Sequence, residues 1–129
     1  MKKMFKKIVA SVMAVSTLSV GTIGMNVNAY GGSRTFYVSG VAVKISIDGT
    51  RTSAAASTIC EELSCNNVYV DATAYYTSGG SKNDTFKKTR GTASVGFAPD
   101  SGRKFDEVSS YHSAKIGTQS NSDTMRVYV

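Results

Sequence analysis

Residues 68–77 read VYVDATAYYT, and their alternation decides the class of fold. The even-numbered residues share one face of an extended chain: Val68, Val70, Ala72, Ala74 and Tyr76. A period of two residues is typical of a β-strand with one buried face and one face in water. The stretch therefore predicts a strand that covers a core and leaves Tyr69 and Tyr75 on the wetter face.

The segment that precedes this strand also alternates. Starting from Arg34, one face of a single predicted strand carries Tyr37, Val41, Val43, Ile45 and Ile47. The turn signal Asp48-Gly49-Thr50 is predicted to end that strand. Residues 51–59, RTSAAASTI, are ambiguous, because three consecutive alanines favour a helix whereas the Ser and Thr residues favour a strand or a cap.

Short apolar segments separated by turn signals continue to the C-terminus. Alternation predicts strands over residues 85–88, 92–98, 105–116 and 125–129, and polar residues predict loops over 78–84, 99–102 and 118–123. Six or seven short strands in series are typical of an antiparallel sandwich or a small barrel. We therefore predict an all-β fold, a small antiparallel β-sandwich that is Ig-like or jelly-roll-like, formed by residues 30–129 as one domain.

Residues 1–29 have the three parts of a bacterial secretory signal peptide. Four lysines within residues 2–7 precede a mostly apolar stretch over 8–25, and small residues follow at the −3 and −1 positions of a cleavage site. The apolar stretch is about long enough to span a bilayer, but its Ser, Thr and Gly residues and the cleavage motif favour removal. We predict a signal peptide helix that is cleaved between Ala29 and Tyr30. The mature protein is then secreted or loosely wall-associated, with no stable membrane span.

The only two cysteines, Cys60 and Cys65, lie in the sequence CEELSC. In an exported chain such a pair predicts a disulfide, since metal sites usually need four ligands and the only histidine is His112. A redox-active pair would need the two-residue spacing of the oxidoreductase motif, which is absent. Residues five apart in a continuous helix cannot be bridged, so residues 51–59 are predicted as a small-residue strand that leads into a bridged turn.

The charge balance changes when residues 1–29 are removed. The full chain has fifteen Lys and Arg residues against nine Asp and Glu residues, a net charge of +6. Four of the basic residues and none of the acidic ones lie in the signal segment, so the mature chain carries +2. A high pI that belongs to a targeting segment does not indicate nucleic-acid binding, and no nucleic-acid motif is present. We predict no nucleic-acid partner.

Residue types that could support catalysis are few. His112 is one candidate base, and alternation puts Ser110 on the same face of its strand, about 7 Å away at the backbone. No nucleophile-elbow motif accompanies them, and a hydrogen-bonded strand histidine is the more common outcome. The adjacent carboxylates Glu61-Glu62 and Asp106-Glu107 point to opposite faces of a strand, so neither pair is an acid–base dyad. We predict no enzymatic activity, no metal site and no cofactor.

Tyrosine and basic side chains form the best-supported candidate binding site. Tyr69 and Tyr75 could stack on sugars or pack against a partner. An anionic polymer or a lipid head group could meet the nearby basic residues Lys82, Lys87, Lys88 and Arg90. Edge-strand lysines that prevent aggregation and ordinary exposed tyrosines explain the same residues without a ligand. The predicted partners are a cell-wall polymer, a glycan or a lipid-linked precursor.

The central segment resembles a known family. A strand, a polar loop and a second strand run through Asp71-Ala72-Thr73-Ala74, Ser78-Gly79-Gly80, Lys82, Asp84-Thr85, Gly91 and Ala93-Ser94-Val95. This pattern is similar to that of the lactococcin-type β-sandwich bacteriocins, although the chain lacks that family's tryptophans. The resemblance implies secretion by the general signal-peptide route and action on cell-wall synthesis at the septum through lipid II. Residues 108–113 and 118–120 are similar to small secreted proteins of Gram-positive bacteria.

Three functions of different classes follow from these features. The first is a non-catalytic binding module of the envelope or the extracellular space, which needs only the sandwich, the tyrosines and the export signal. The second is a bacteriocin-like antimicrobial protein that acts on the cell wall of related bacteria. The third is a small hydrolase that uses His112. We expect the first of these functions.

Overall fold

The computed structural model describes residues 29–129, which form eight β-strands and no helix. In chain order the strands are β1 (Ala29–Val38), β2 (Val41–Thr50), β3 (Ser53–Cys60), β4 (Cys65–Tyr76), β5 (Ser81–Lys88), β6 (Gly91–Phe97), β7 (Phe105–Ile116) and β8 (Gln119–Tyr128). The all-β prediction is confirmed, but the predicted count of six or seven strands is wrong. Residues 29–129 contain no helix that is long and apolar enough to cross a bilayer.

The strands pair into two antiparallel sheets of four. Sheet I has the order β1-β2-β3-β6, and sheet II has the order β5-β4-β7-β8. The chain crosses from sheet I to sheet II after β3, returns after β5 and crosses again after β6. The inner faces of the two sheets share one hydrophobic core, which is a sandwich-like arrangement.

One additional strand comes from a hairpin at Ser39-Gly40. We predicted a single strand through residues 34–47, but the chain reverses at this pair, and Val38 lies opposite Val41 in the β1–β2 ladder. Ser39 and Gly40 both have positive φ, 49° and 78°. Two-residue turns with positive φ match the twist of the strands that they join. In the sequence, this turn is therefore marked by Gly40 and not by a break in the apolar pattern.

The hairpin also changes which side chains face the core. Phe36 and Val38 are buried in β1, and Val43 is buried in β2. Tyr37, predicted to share the face of Val43, lies on the opposite side of sheet I with 61% of its surface exposed. The prediction for Tyr37 is wrong because the turn reverses the phase of the alternation between β1 and β2.

Three polar segments predicted as loops or turns belong to strands instead. Residues 119–123 begin β8, and residues 81–84 begin β5. Because β5 and β8 are the edge strands of sheet II, they cover less of the core and need no regular apolar alternation. The predicted turn at residues 48–50 lies within β2, and the chain turns at residues 51–52.

Aliphatic side chains fill the space between the sheets. From sheet I, Val43, Ile45 and Ile47 are each at most 1% exposed. From sheet II, Val68 and Val70 are fully buried, as the alternation of residues 68–77 predicts. Burial of one such side chain contributes about 1.5–3 kcal/mol to stability. The small remaining gaps are lined by the alanines at positions 54, 56, 72, 74 and 93.

Strand β3 resolves the ambiguity of residues 51–59. It pairs with β2 on one side and with β6 on the other, and its residues Ala54 and Ala56 are buried in the core. Cys60 and Cys65 form a disulfide, with their Cα atoms 6.4 Å apart, across the turn that carries the chain from sheet I to sheet II. The predicted small-residue strand and the predicted disulfide are both confirmed.

The loop between β6 and β7 is held against the end of β4. The hydroxyl of Tyr76 accepts a hydrogen bond of 3.1 Å from the Asp100 backbone N–H. The Arg103 guanidinium lies 3.6 Å from the centroid of the same ring. It also donates to the Ser78 hydroxyl at 3.0 Å. This loop therefore packs on sheet II and does not extend over its outer face.

The predicted signal peptide, up to residue 28, lies outside the described residues. The backbone of β1 begins at Ala29, so both residues that flank the predicted cleavage site belong to the first strand. Cleavage between Ala29 and Tyr30 stays a prediction.

Candidate functional site

The outer face of sheet II, turned away from the core, carries four tyrosines on three strands. Tyr69 and Tyr75 belong to β4, Tyr111 to β7 and Tyr128 to β8. Tyr75, Tyr111 and Tyr128 are 38%, 42% and 64% exposed, and Tyr69 is half-buried. Their neighbours along each strand point into the core, which puts all four rings on one side. We call this surface the tyrosine face.

At one end of the tyrosine face, Tyr69 and Tyr111 pack edge to face. Their ring centroids are 6.1 Å apart and their planes are inclined by 64°. Asp71 lies beside both, because it pairs with Tyr111 in the β4–β7 ladder. Loss of water around the phenol, followed by the charge and hydrogen bonding of Asp71, raises the pKa of Tyr69. The Tyr69 hydroxyl therefore keeps its proton and acts as a donor.

The Asp71 carboxylate is held by an asparagine of the edge strand. Asn83 Nδ2 donates to Asp71 Oδ1 at 2.6 Å and lies 2.9 Å from Thr73 Oγ1 and 3.0 Å from the Ala72 carbonyl. An amide that contacts three acceptors orients the carboxylate and the Thr73 hydroxyl together. Next to Tyr69 and Tyr111, the tyrosine face thus carries a carboxylate whose hydrogen-bond partner is a neutral amide.

At the other end of the tyrosine face, a salt bridge lies between two tyrosines. Arg126 Nε donates to Glu107 Oε2 at 2.9 Å. Glu107 pairs with Tyr75 in the β4–β7 ladder and with Tyr128 in the β7–β8 ladder. Hydrogen bonding with Tyr128, followed by the charge of Glu107, raises the pKa of Arg126. The guanidinium is therefore charged and already paired.

A shallow groove runs along this face between Tyr111 and Arg126. Its volume is about 510 Å³, and its lining includes Asp71, Thr73, Ser109, Tyr111, Thr124 and Arg126. A second depression of about 310 Å³ continues past Tyr111 towards Asn67 and Ser122. Tyr111 lines both depressions. The tyrosine face can therefore offer aromatic rings at its ends and hydroxyl groups between them to an elongated ligand.

Three of the six predicted binding residues lie on this face. Tyr69 and Tyr75 project from β4 on the side opposite the core, as predicted. Lys87 of β5 pairs with Tyr69, so it shares that side at the edge of the sheet. Sequence alternation placed the two tyrosines, and strand pairing adds the lysine.

The other three predicted binding residues lie elsewhere. Lys82 Nζ donates to the Ala98 carbonyl at 2.8 Å and to Asp100 Oδ1 at 3.2 Å, and this contact lowers the pKa of the Asp100 carboxyl. Lys88 pairs with a core residue of β4, so it is on the opposite side of β5 from Lys87. Arg90 is in the short connection between β5 and β6. The basic residues therefore do not form one patch with the tyrosines.

Sequence reasoning missed Tyr111, Tyr128, Glu107 and Arg126. The phase of Tyr111 was readable, because it alternates with the core residue His112. The sequence did not show that β7 lies beside β4 or that β8 lies beside β7. The long-range pairing of β4 with β7 and the local β7–β8 hairpin bring the four residues to the site.

A second polar cluster lies in the core. His112 Nε2 is 2.7 Å from Ser110 Oγ, and its Nδ1 is 2.8 Å from Thr58 Oγ1 of the opposite sheet. The predicted common face of Ser110 and His112 is confirmed. His112 is fully buried and Ser110 is 4% exposed. Burial lowers the pKa of His112 to about 4, so the ring is neutral near pH 7.

Two further observations bear on the identity of the site. Within residues 29–129, no group of three or more His, Cys, Asp or Glu side chains is arranged to hold a metal ion. The chain matches no family model, no curated protein and no solved structure. The tyrosine face is therefore interpreted from its own chemistry.

Proposed function

We propose that this chain is a secreted, non-catalytic β-sandwich protein whose tyrosine face binds a ligand of the cell envelope or the extracellular space. The observation that carries the proposal is the presence of four tyrosines on the outer face of one sheet, together with a polar groove on the same face that Tyr111 lines. Tyrosine supplies a flat apolar ring together with a hydroxyl group. That combination suits a polar ligand that contains rings, such as a glycan.

The arrangement of the tyrosines supports a site more strongly than their exposure does. Single exposed aromatic residues are normal on protein surfaces. Here Tyr69 packs against Tyr111, and Tyr75 and Tyr128 flank the same Glu107. The mutual packing of Tyr69 and Tyr111 restrains both rings, which lowers the entropy cost of binding.

The position of His112 favours a non-catalytic protein. Both ring nitrogens are within hydrogen-bond distance of partners in the core, and the side chain has no exposed surface. A general base has to reach the proton that it removes. The small hydrolase is therefore the least favoured of the three functions.

Secretion is supported by the disulfide and by the signal sequence. A disulfide between Cys60 and Cys65 suits an oxidising compartment outside the cytoplasm. The charge distribution and the small residues of segment 1–29 are typical of a cleaved export signal.

A retention experiment tests the proposal. The purified protein is passed at low salt over immobilised peptidoglycan, teichoic acid and a glycan array, beside the variants Tyr75→Ala/Tyr111→Ala and Tyr37→Ala. Tyr37 is the matched control, because it is an exposed tyrosine on the outer face of sheet I. We expect the native protein and Tyr37→Ala to be retained and the double variant to pass through. Failure of the native protein to bind any of these materials would reject the proposal.

A bacteriocin-like antimicrobial protein is the second candidate. The observation that favours it is the location of Asp71 and Thr73, which belong to the segment that resembles the lactococcin-type bacteriocins and also line the groove. On this alternative the ligand is a lipid-linked cell-wall precursor. Purified protein would then inhibit the growth of related strains, and Asp71→Ala would abolish the inhibition. No inhibition across a broad panel of strains would exclude this candidate.

A further inference from the structure

We infer that the ligand of the tyrosine face is an uncharged glycan chain of several sugar units that lies along β4 and β7 and contacts both tyrosine pairs. The inference deepens the proposed function and rests on it. One pair is Tyr69 with Tyr111, and the other is Tyr75 with Tyr128, on either side of Glu107.

The spacing of the two pairs requires a chain. Tyr69 and Tyr75 are six residues apart on one strand, which corresponds to about 20 Å along β4. A single sugar ring covers one tyrosine, so a monosaccharide or a disaccharide could occupy only one end. The groove between the ends is shallow and continuous with a second depression beyond Tyr111. A linear polymer can therefore lie along the strands without being enclosed.

The charges along the groove favour an uncharged ligand. Both arginines that line it are paired: Arg126 with Glu107 at 2.9 Å, and Arg34 with Asp123 at 3.1 Å. The Asp71 carboxylate contacts the neutral amide of Asn83 and forms no salt bridge with a described residue. Of the residues described here, those that line the groove thus offer one carboxylate beside a neutral amide and two paired cations, and the lysines of the same face, Lys87 and Lys115, lie outside this lining. A phosphate group inside the groove would meet the Asp71 carboxylate and no unpaired cation of the described lining.

The remaining groove residues match the hydroxyl groups of a sugar. Thr73, Ser109 and Thr124 carry hydroxyls that can each donate and accept a hydrogen bond. The Asp71 carboxylate accepts only, and a sugar hydroxyl is a suitable donor to it. The aromatic ends would then stack on the apolar faces of sugar rings.

Calorimetric titration of the purified protein tests the inference. The probes are a disaccharide and a hexasaccharide of β-1,4-linked N-acetylglucosamine, and poly(glycerol phosphate) as the anionic polymer. We expect the hexasaccharide to bind at least about tenfold more tightly than the disaccharide, because it engages both ends of one site. We also expect this affinity to change little with salt, because no ion pairs form.

Two double variants locate the effect. Tyr75→Ala/Tyr128→Ala removes one aromatic end and is expected to lower the affinity for the hexasaccharide to that for the disaccharide. Tyr75→Phe/Tyr128→Phe keeps both rings and is expected to retain most of the difference in affinity. Far-ultraviolet circular dichroism and thermal melting verify that both variants are folded.

The outcomes separate this inference from the proposed function. Equal affinity for the two oligosaccharides would overturn the two-ended site, and tighter, salt-sensitive binding of poly(glycerol phosphate) would overturn the uncharged ligand. Absence of hexasaccharide binding would also overturn the inference. In each case the retention experiment decides whether the proposed function stands. If the Tyr75→Ala/Tyr111→Ala variant still loses retention on envelope material, the proposed function stands and only the inference fails. If that variant is retained like the native protein, both fail.

Discussion

Thr58 Oγ1 in sheet I lies 2.8 Å from His112 Nδ1 in sheet II, so the two sheets are hydrogen-bonded through the core. Thr58 Oγ1 also donates to the Tyr69 carbonyl at 2.8 Å. Its one proton is thereby used, so it accepts the proton of His112 Nδ1, and Nε2 accepts from the Ser110 hydroxyl. This arrangement of protons is that of a neutral imidazole protonated at Nδ1. The same chain anchors the backbone of β4 beneath Tyr69.

Replacement of Thr58 by valine should destabilise the protein. The change keeps the shape of the side chain but leaves the buried His112 N–H without an acceptor, which costs about 1–3 kcal/mol. The free energy of unfolding is measured in urea. Thr92→Val is the matched control, because Thr92 is an exposed residue of the neighbouring strand β6, and its effect should be within about 0.5 kcal/mol. Equal effects of the two changes would contradict the proposed hydrogen-bond chain.

Acidification should destabilise the folded state through His112. Burial lowers the pKa of this residue from its usual 6.5 to about 4, so between these pH values the unfolded chain binds a proton that the folded chain does not. Stability therefore falls as the pH drops through this window. The total loss from this group is about 3 kcal/mol. Urea unfolding of an Asp48→Asn variant at a series of pH values measures it, because Asp48 has the opposite effect in the native protein.

Asp48 opposes this effect over part of the same window. Its carboxyl lies over Gly31 on the outer face of sheet I. Although the side chain reaches solvent, loss of surrounding water raises its pKa from 3.8 to about 6. Between those values the folded state binds the extra proton, so stability rises as the pH falls. Asp48→Asn should therefore make the acid-induced loss of stability steeper. Asp84→Asn on the edge strand β5 is the control. If the free energy of unfolding of Asp48→Asn depended on pH in the same way as that of the native protein, Asp48 would not oppose the effect of His112.

Adjacent glycines of β1 should respond differently to alanine. A Cβ atom at Gly31 would overlap Asp48 Oδ1 and lie 2.7 Å from the Ile47 carbonyl oxygen, whereas at Gly32 the nearest atom is Met125 Cε at 3.7 Å. Asp48 can rotate away, but the backbone carbonyl cannot. Gly31→Ala should cost about 1–3 kcal/mol, and Gly32→Ala should be neutral or stabilise by up to about 1 kcal/mol. The stabilities of the two variants are compared by thermal unfolding. A Gly31→Ala variant as stable as Gly32→Ala would contradict the close approach of β1 and β2.

Reduction of the Cys60–Cys65 disulfide should lower stability modestly and leave the tyrosine face intact. The closed loop is short, so the bridge contributes about 2 kcal/mol, which corresponds to a fall in Tm of roughly 8–16 °C for a domain of this size. The bridge lies at the turn between β3 and β4, at the far end of β4 from Tyr75. Ligand retention by the reduced, folded protein should be unchanged. Complete unfolding on reduction at room temperature would show that the bridge does more than stabilise a turn.

The residues that could be predicted from sequence are those with a regular two-residue alternation against a core. Val68 to Tyr76 in β4 and Val108 to Ile116 in β7 are both central strands of sheet II, and their patterns identified the correct faces. Residues 119–123 and 81–84 could not be recognised as strands, because edge strands bury few side chains. The hairpin at Ser39-Gly40 was missed because apolar residues continue on both sides of it.

For the candidate site, local pattern and long-range pairing contributed different parts. Alternation within β4 put Tyr69 and Tyr75 on a solvent face before any pairing was known. Proximity in sequence suggested that Lys82, Lys88 and Arg90 would join them, but these residues are on the other side of β5 or beyond its end. Adjacent positions on a strand face opposite ways, so nearness in sequence does not produce a common surface.

The sequence by itself determined the all-β class, the disulfide and the side of each central strand that faces the core. These properties depend on the period of a strand and on short-range chemistry, which are written into neighbouring residues. Only the tertiary structure decided that Tyr111 and Tyr128 join Tyr69 and Tyr75, that Arg126 is neutralised by Glu107, and that Thr58 meets His112 between the sheets. The pairing of β4 with β7 and the contact of β3 with β7 join strands that are distant in the chain, and only the β7–β8 hairpin that carries Arg126 and Tyr128 is local. Both kinds of pairing follow from how the whole set of strands buries a common core.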